Sequence, residues 1–160
     1  MMRWPGHIQP GTTSTTRAIH MDLFATMAAV AGAPLPKDRV VDGVDVLAGI
    51  LPGLAPSARS GPLFWRSGDY RAVRDGDWKL QVDGRRRKVW LYNLANDPTE
   101  QHELSAAEPA QVARLTAELD AQNKGMAKPL WPGLIEAPVR IDVPLNAPWK
   151  AGQDYVYWTN

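Results

Sequence analysis

Three histidines, 17 carboxylates and 18 cationic side chains are the stock from which this 160-residue chain could build a reactive centre, and it holds no cysteine. The missing cysteine excludes disulfides, thiolate zinc sites and thiol nucleophiles. His20 beside Asp22 has the residue types for an acid–base or metal pair. The same two residues suit a helix start, with Asp22 as the cap and His20 packed next to it, and that reading is preferred. His102 near Asp97, Glu100 and Glu103 offers donors for a cation, against a solvated approach to a helix. Arg85-Arg86-Arg87-Lys88 is a basic run that could attract a sulfated polymer or nucleic acid. At a four-residue hairpin tip it reads first as solvated. Asp75-Gly76-Asp77 is a turn before it is a site, because the turn needs positive φ. In Trp65-Arg66-Ser67-Gly68-Asp69-Tyr70 an aromatic ring adjoins a guanidinium, which suits bidentate contact with an anionic ester. Trp65, Trp78 and Trp90 otherwise read as sheet packing.

The elements that must position these residues follow from periodicity. Residues 1–19 are an extended start with turn pairs at Pro5-Gly6 and Pro10-Gly11. From Asp22, the residues Leu23, Phe24, Met27, Ala28, Val30 and Ala31 recur at helical spacing, and Gly32 stops the helix. That helix is apolar over too broad an arc to stand alone. Burying Leu23, Phe24, Met27 and Val30 would contribute about 1.5–3 kcal/mol each, and residues 1–50 offer little to cover them. The first third therefore reads as the edge of a larger body. Residues 34–60 are loop-like, with a turn at Asp42-Gly43, a brief helix or strand at 44–51, and a linker at 53–61.

The next stretch is the clearest. Strands are expected at 63–65, 70–74, 78–82 and 88–92, with Asp75-Gly76 as a two-residue hairpin turn and one wet face. A helix over 106–124 follows. Ser105 and Glu108 have capping-box spacing, although Pro109 can instead mark the first turn. Val112, Leu115 and Leu119 should pack that helix across the sheet. Residues 126–160 read as an extended Pro- and Trp-rich tail laid over a surface.

Composition narrows the function classes. A hydrophobic content of 44% with 22% charge argues against wholesale disorder. A net charge of +1 gives no general field for nucleic acid or a membrane surface. No stretch approaches the ~20 consecutive apolar residues that span a bilayer.

Five segments in register resemble one family. Arg3-Trp4-Pro5-Gly6-His7-Ile8-Gln9-Pro10-Gly11 is similar to the segment by which sulfatases leave the sheet of their catalytic domain. His20-Met21-Asp22-Leu23-Phe24-Ala25-Thr26 follows as in that family, which usually has Pro at the position of Ala25. Asp42-Gly43-Val44-Asp45 fits the next turn. The segment from Ala72 to Leu80 and the segment from Leu91 to Glu100 look like the family's C-terminal hairpin and the strand leading to its last helix. The resemblance covers residues 1–122, and more loosely the tail ending Tyr155-Val156-Tyr157-Trp158.

The resemblance implies an α+β fold. In it a four-stranded antiparallel sheet is packed by one long helix, preceded by a strand and helix from the edge of a larger α/β catalytic domain. The implied divisions are 1–53 as the terminal piece of that domain, 61–125 as the sheet-plus-helix subdomain, and 126–160 as the tail. The whole enzyme would be a sulfuric ester hydrolase using formylglycine, made from Cys or Ser in Cys/Ser-x-Pro-x-Arg, beside a calcium ion. This chain has no such motif, so no catalytic or metal-ligating residue is expected in it. The expected partners are an N-terminal catalytic domain of the same polypeptide and a sulfate-ester substrate, with no nucleic acid and no membrane. Trp65 and Arg66 are the expected substrate contact, because that loop can face the catalytic domain in sulfatase-like proteins. Lacking the nucleophile and metal ligands, the chain is expected to be a C-terminal fragment inactive alone. Its Met1-Met2 start resembles the interior of a core strand, which favours a wrongly placed start. The sequence leaves the compartment open, periplasmic or secreted being options for the complete enzyme. The competing expectation is a non-catalytic module that holds an anionic, sulfated polymer on the sheet and basic hairpin. Related enzymes on the same scaffold hydrolyse phosphate or phosphonate esters.

Overall fold

Period-two alternation between residues 63 and 93 resolves into four strands, β1 (Leu63–Ser67), β2 (Tyr70–Asp75), β3 (Trp78–Asp83) and β4 (Lys88–Asn93). The computed structural model describes residues 1–51, 59, 61–128, 130–131, 136–140 and 147–159. Within it the chain forms two units, Met1–Ser60 and Gly61–Asn160. The linker expected at 53–61 lies outside the described residues except at Arg59 and Gly61.

In the second unit the four strands form one antiparallel meander in sequence order. The register aligns Phe64, Val73, Leu80 and Leu91 across one face, and Trp65, Ala72, Gln81 and Trp90 across the other. Both two-residue turns place glycine first at positive φ, Gly68 at 57° and Gly76 at 59°. That pattern belongs to type II′ turns, whose twist matches the flanking strands. Because Asp75 pairs with Trp78, the central residues are Gly76-Asp77, one step later than the sequence pattern placed them.

Helix α1 (Asp22–Val30) belongs to the first unit, and helix α2 (Pro109–Gly125) packs on the second unit's sheet. Leu115 and Leu119 of α2 are buried against Val73, Leu80 and Leu91, with Val112 beside them. The helix begins at Pro109, and its N-cap Glu108 makes no side-chain cap bond. The capping box expected from Ser105 and Glu108 does not form. Proline at the first helical position needs no partner for a missing N–H, so the start shifts to it.

The opposite face is not wet, contrary to the alternation argument. Tyr70, Ala72, Trp90 and Tyr92 are buried there together with Val156, and Val139 packs alongside. These valines come from the tail, where β5 (Glu136–Arg140) pairs antiparallel with β6 (Tyr155–Thr159) and Val139 faces Val156. The tail is thus a hairpin on the sheet rather than an extended strap.

In the first unit α1 ends as expected from Gly32. Gly32 sits at φ 65°. Its N–H donates to the Ala29 carbonyl, and the Ala33 N–H donates to Ala28. These two bonds are a Schellman motif, which satisfies carbonyls the helix end would orphan. No β-ladder forms among the described residues of 1–21; the segment expected to carry a strand runs extended with turns. Only the small side of α1 is buried, through Asp22, Ala25 and Thr26. Leu23, Phe24, Met27 and Val30 are all exposed, Phe24 at 57% and Met27 at 62%.

Asp22 does not cap α1. Its Oδ2 accepts the Ile19 N–H (2.8 Å), its Oδ1 accepts the Val44 N–H (2.9 Å), and Arg59 pairs with it. His20 is exposed rather than packed. Gly43 matters for proximity, since a Cβ there would lie 2.2 Å from the Met21 carbonyl oxygen. Asp22→Ala leaves two backbone N–H groups and a mostly buried guanidinium without their acceptor. We expect a loss of about 1–3 kcal/mol, read as faster amide exchange at Ile19 and Val44.

Candidate functional site

The hairpin chosen from the sequence puts Trp65 and Arg66 on β1, and a strand sends adjacent side chains to opposite faces. Trp65 packs against the cluster of Tyr70, Ala72, Trp90 and Tyr92. Arg66 emerges on the α2 side, exposed, where its Nη1 donates to Asn123 Oδ1 (2.8 Å) near the helix C-terminus. The two residues therefore do not form one contact surface. Arg71, opposite Arg66 in the register, donates to Asp120 Oδ1 (2.9 Å). Arg114 holds Asp75 and Glu118, both at 2.6 Å. Arg66 thus differs from these two in that its side-chain partner is a neutral amide.

The acidic residues around His102 diverge. Glu100 reaches back to the sheet, accepting Lys79 Nζ (2.5 Å) and Gln81 Nε2 (2.8 Å), while the Tyr70 hydroxyl donates to Gln81 Oε1 (2.8 Å). Glu103 Oε1 accepts the Leu91 N–H (3.0 Å), and Leu104 N–H donates to the Leu91 carbonyl (2.9 Å). Together they cover part of the open edge of β4, which would otherwise offer unpaired backbone groups. Asp97 accepts the His102 backbone N–H (2.7 Å). The Gln101 backbone N–H chiefly, then that of His102, the charge of His102 and the Thr99 hydroxyl, hold the Asp97 carboxyl below its usual range, while desolvation opposes them. Each carboxylate is committed to its own local partner.

The basic run is not simply solvated. Arg85 lies 3.6 Å from Asp69 Oδ2, and its guanidinium sits over Tyr157, 5.2 Å from the ring centre. Arg86 covers Tyr155 at 4.5 Å and donates to the Tyr155 carbonyl. Arg86 (3.4 Å) and Lys88 both reach Asp154 Oδ1. Lys88 chiefly, then the charge of Arg86 and a bond from Trp90, holds the Asp154 carboxyl below its ordinary 3.8, while burial opposes. A depressed carboxylate stabilises the folded state fully above its unfolded value and loses that contribution as pH falls through the folded one. We therefore expect tail docking to weaken on acidification below about pH 4, followed by tryptophan fluorescence. Nothing in the sequence indicates that Asp154, Tyr155 and Tyr157 meet the basic run, although Tyr155-Val156-Tyr157 has the composition of a strand.

No family model matches the chain. It is 40% identical over 80 residues to N-acetylgalactosamine-6-sulfatase of Mus musculus, covering 49% of this chain and 15% of that protein. It is 47% identical over 47 residues to steryl-sulfatase of Homo sapiens, covering 29% of this chain and 8% of the relative. A sulfatase of Formosa agariphila matches over 140 residues at 29% identity, 78% of this chain and 25% of its own length. The chain is similar to sulfatases over these stretches. In structure it resembles Ps i-CgsB with a TM-score of 0.65 at 24% identity, over 80% of this chain and 29% of that one. A Bacteroides thetaiotaomicron protein, solved in the context of glycosaminoglycan metabolism, matches with a TM-score of 0.52 at 25% identity, over 64% of this chain and 24% of that one. The chain spans a quarter or less of the length of these curated relatives.

The residues present do not fit the sulfatase calcium ion or formylglycine. Among the described residues no three His, Asp or Glu side chains gather to hold a metal. The sequence has neither cysteine nor a Ser-x-Pro-x-Arg segment. Among the described residues no helix is long and apolar enough to cross a membrane.

Proposed function

We propose that this chain is the C-terminal portion of a sulfuric ester hydrolase and does not turn over substrate by itself. The observation that carries this reading is the bare face of α1. Leu23, Phe24, Met27 and Val30 are exposed together on a helix whose small side alone is packed. A contiguous apolar face of this kind fits a surface made to be covered. In this reading the cover is a preceding catalytic body of the same polypeptide, which supplies the nucleophile and the calcium ligands. Sulfated saccharides are the favoured substrate class, after the N-acetylgalactosamine-6-sulfatase relatives. Of the pair expected at the substrate, Arg66 retains the chemistry, because an exposed guanidinium bonded to a neutral amide keeps its charge for an anionic ester. Trp65 serves the sheet.

The test is the coding DNA upstream of Met1, paired with an assay. An open frame encoding Cys/Ser-x-Pro-x-Arg and a cluster of acidic metal ligands is expected. The longer polypeptide should hydrolyse para-nitrophenyl sulfate with calcium, and the 160-residue chain should not. An in-frame stop close to Met1, or turnover by the chain that survives repurification, would overturn the proposal.

A further inference from the structure

The β3–β4 turn and the tail hairpin meet in a cluster that the sulfatase reading leaves unused. Asp83 Oδ1 accepts the backbone N–H groups of Arg85 (3.0 Å) and Arg86 (3.1 Å), and this fixes the turn from which the cationic side chains project. The tail fills the space between them. Asp154 Oδ1 takes both Arg86 and Lys88, and the rings of Tyr155 and Tyr157 lie beneath Arg86 and Arg85. We propose that this turn is an anion-binding site for a sulfated polysaccharide and that Asp154 is its internal ligand, so that polysaccharide and β5–β6 hairpin compete for Arg86 and Lys88.

Three features support the assignment. A guanidinium and an ammonium converge on one carboxylate oxygen, which is the arrangement that holds a single oxyanion. A sulfate group offers the same charge with more acceptor oxygens, and Arg suits it bidentately. Among the described residues the turn carries four cations, Arg85, Arg86, Arg87 and Lys88, against three neighbouring carboxylates, Asp69, Asp83 and Asp154. The side chains of Arg85 and Lys88 are 45% and 43% exposed, so a ligand reaches them before the hairpin moves. A sulfated chain is favoured over a single-stranded nucleic acid because the guanidinium groups already cover one face of Tyr155 and of Tyr157, the rings on which bases would stack. Only this choice of polymer rests on the sulfate-ester reading.

The test uses the intact chain and a heparin oligosaccharide as probe, by calorimetry at low salt. Asp154→Asn is expected to bind about tenfold more tightly than the unaltered chain. Asp38→Asn makes the same charge change at an exposed residue paired with Arg39, and should alter affinity by less than about twofold. Equal gains from both variants would mean a general field and overturn the proposal. Adding Arg86→Gln and Lys88→Gln to Asp154→Asn should abolish the gain, and its persistence counts equally against the site. Should Asp154→Asn fail to fold, amide exchange on the unaltered chain decides. Heparin is expected to accelerate exchange across 136–140 and 155–159, and slowed exchange overturns competition. A single-stranded oligonucleotide of equal charge that matches heparin in both readouts overturns the sulfated ligand. None of these measurements involves turnover, so their failure is separable from failure of the hydrolase reading.

Discussion

Leu115→Ala will lower the stability of the unit spanning residues 61–160 by about 2–5 kcal/mol, measured by urea unfolding. Leu115 is 0% exposed, and it sits over the column of Val73, Leu80 and Leu91 that the strand register lines up. A sheet face with no side chain above it cannot collapse onto the space left behind, so the cavity term adds to the lost transfer free energy. Phe24→Ala is the contrast. Phenylalanine is the larger residue, but in this chain it is 57% exposed on α1, and its removal should fall within about 0.5 kcal/mol. In the longer polypeptide of the proposed hydrolase, the same Phe24→Ala should cost about 3–5 kcal/mol, as for a buried aromatic. A near-neutral Phe24→Ala in that longer protein would leave the α1 face without a cover and count against the C-terminal-portion reading.

Local signals explain what could be read before the structure. β3 alternates as Trp78, Leu80 and Val82 against Lys79 and Gln81, its neighbours are rich in strand-forming residues, and glycine stands where the turns need positive φ, so the meander was legible to within a residue. The helix over the sheet was legible for the same reason, through Val112, Leu115 and Leu119 at helical spacing. What failed was non-local. Val156 reads as one apolar residue among aromatics until it joins the cluster of Tyr70, Ala72, Trp90 and Tyr92, more than 60 positions earlier, and helps dry the second face. Asp154 likewise looks like any loop carboxylate until the hairpin carries it to Lys88. Asp22 was assigned to its own helix because capping is the short-range use of an aspartate, whereas its partners at Val44 and Arg59 come from a distant loop. Trp65 and Arg66 show the same gap between sequence and space. Adjacency in sequence suggested one site, and the pleat separates them.

Glu100 carries the second large effect. Its backbone sits at φ 58°, unusual for a residue with a Cβ, while its carboxylate bridges Lys79 and Gln81. Gln81 is buried and its amide oxygen receives the Tyr70 hydroxyl, so the carboxylate anchors a chain of three side chains on the sheet's second face. Glu100→Ala strips one acceptor from a buried amide and the counter-charge from an ammonium that is only 23% exposed. Exposed pairs are worth up to about 1 kcal/mol, and breaking fully buried ones costs about 3–5. The intermediate burial here sets the expectation at roughly 2–3 kcal/mol. Glycine separates the two contributions, because it relieves a left-handed backbone that costs other residues about 1–2 kcal/mol. Glu100→Gly should therefore be less destabilising than Glu100→Ala by about 1 kcal/mol, the opposite of their order in a strand or helix. If both variants unfold at the same urea concentration, the backbone at Glu100 is unstrained. If Glu100→Ala costs less than about 0.5 kcal/mol, the Lys79–Glu100–Gln81 bridge is a surface pair in energy whatever its burial.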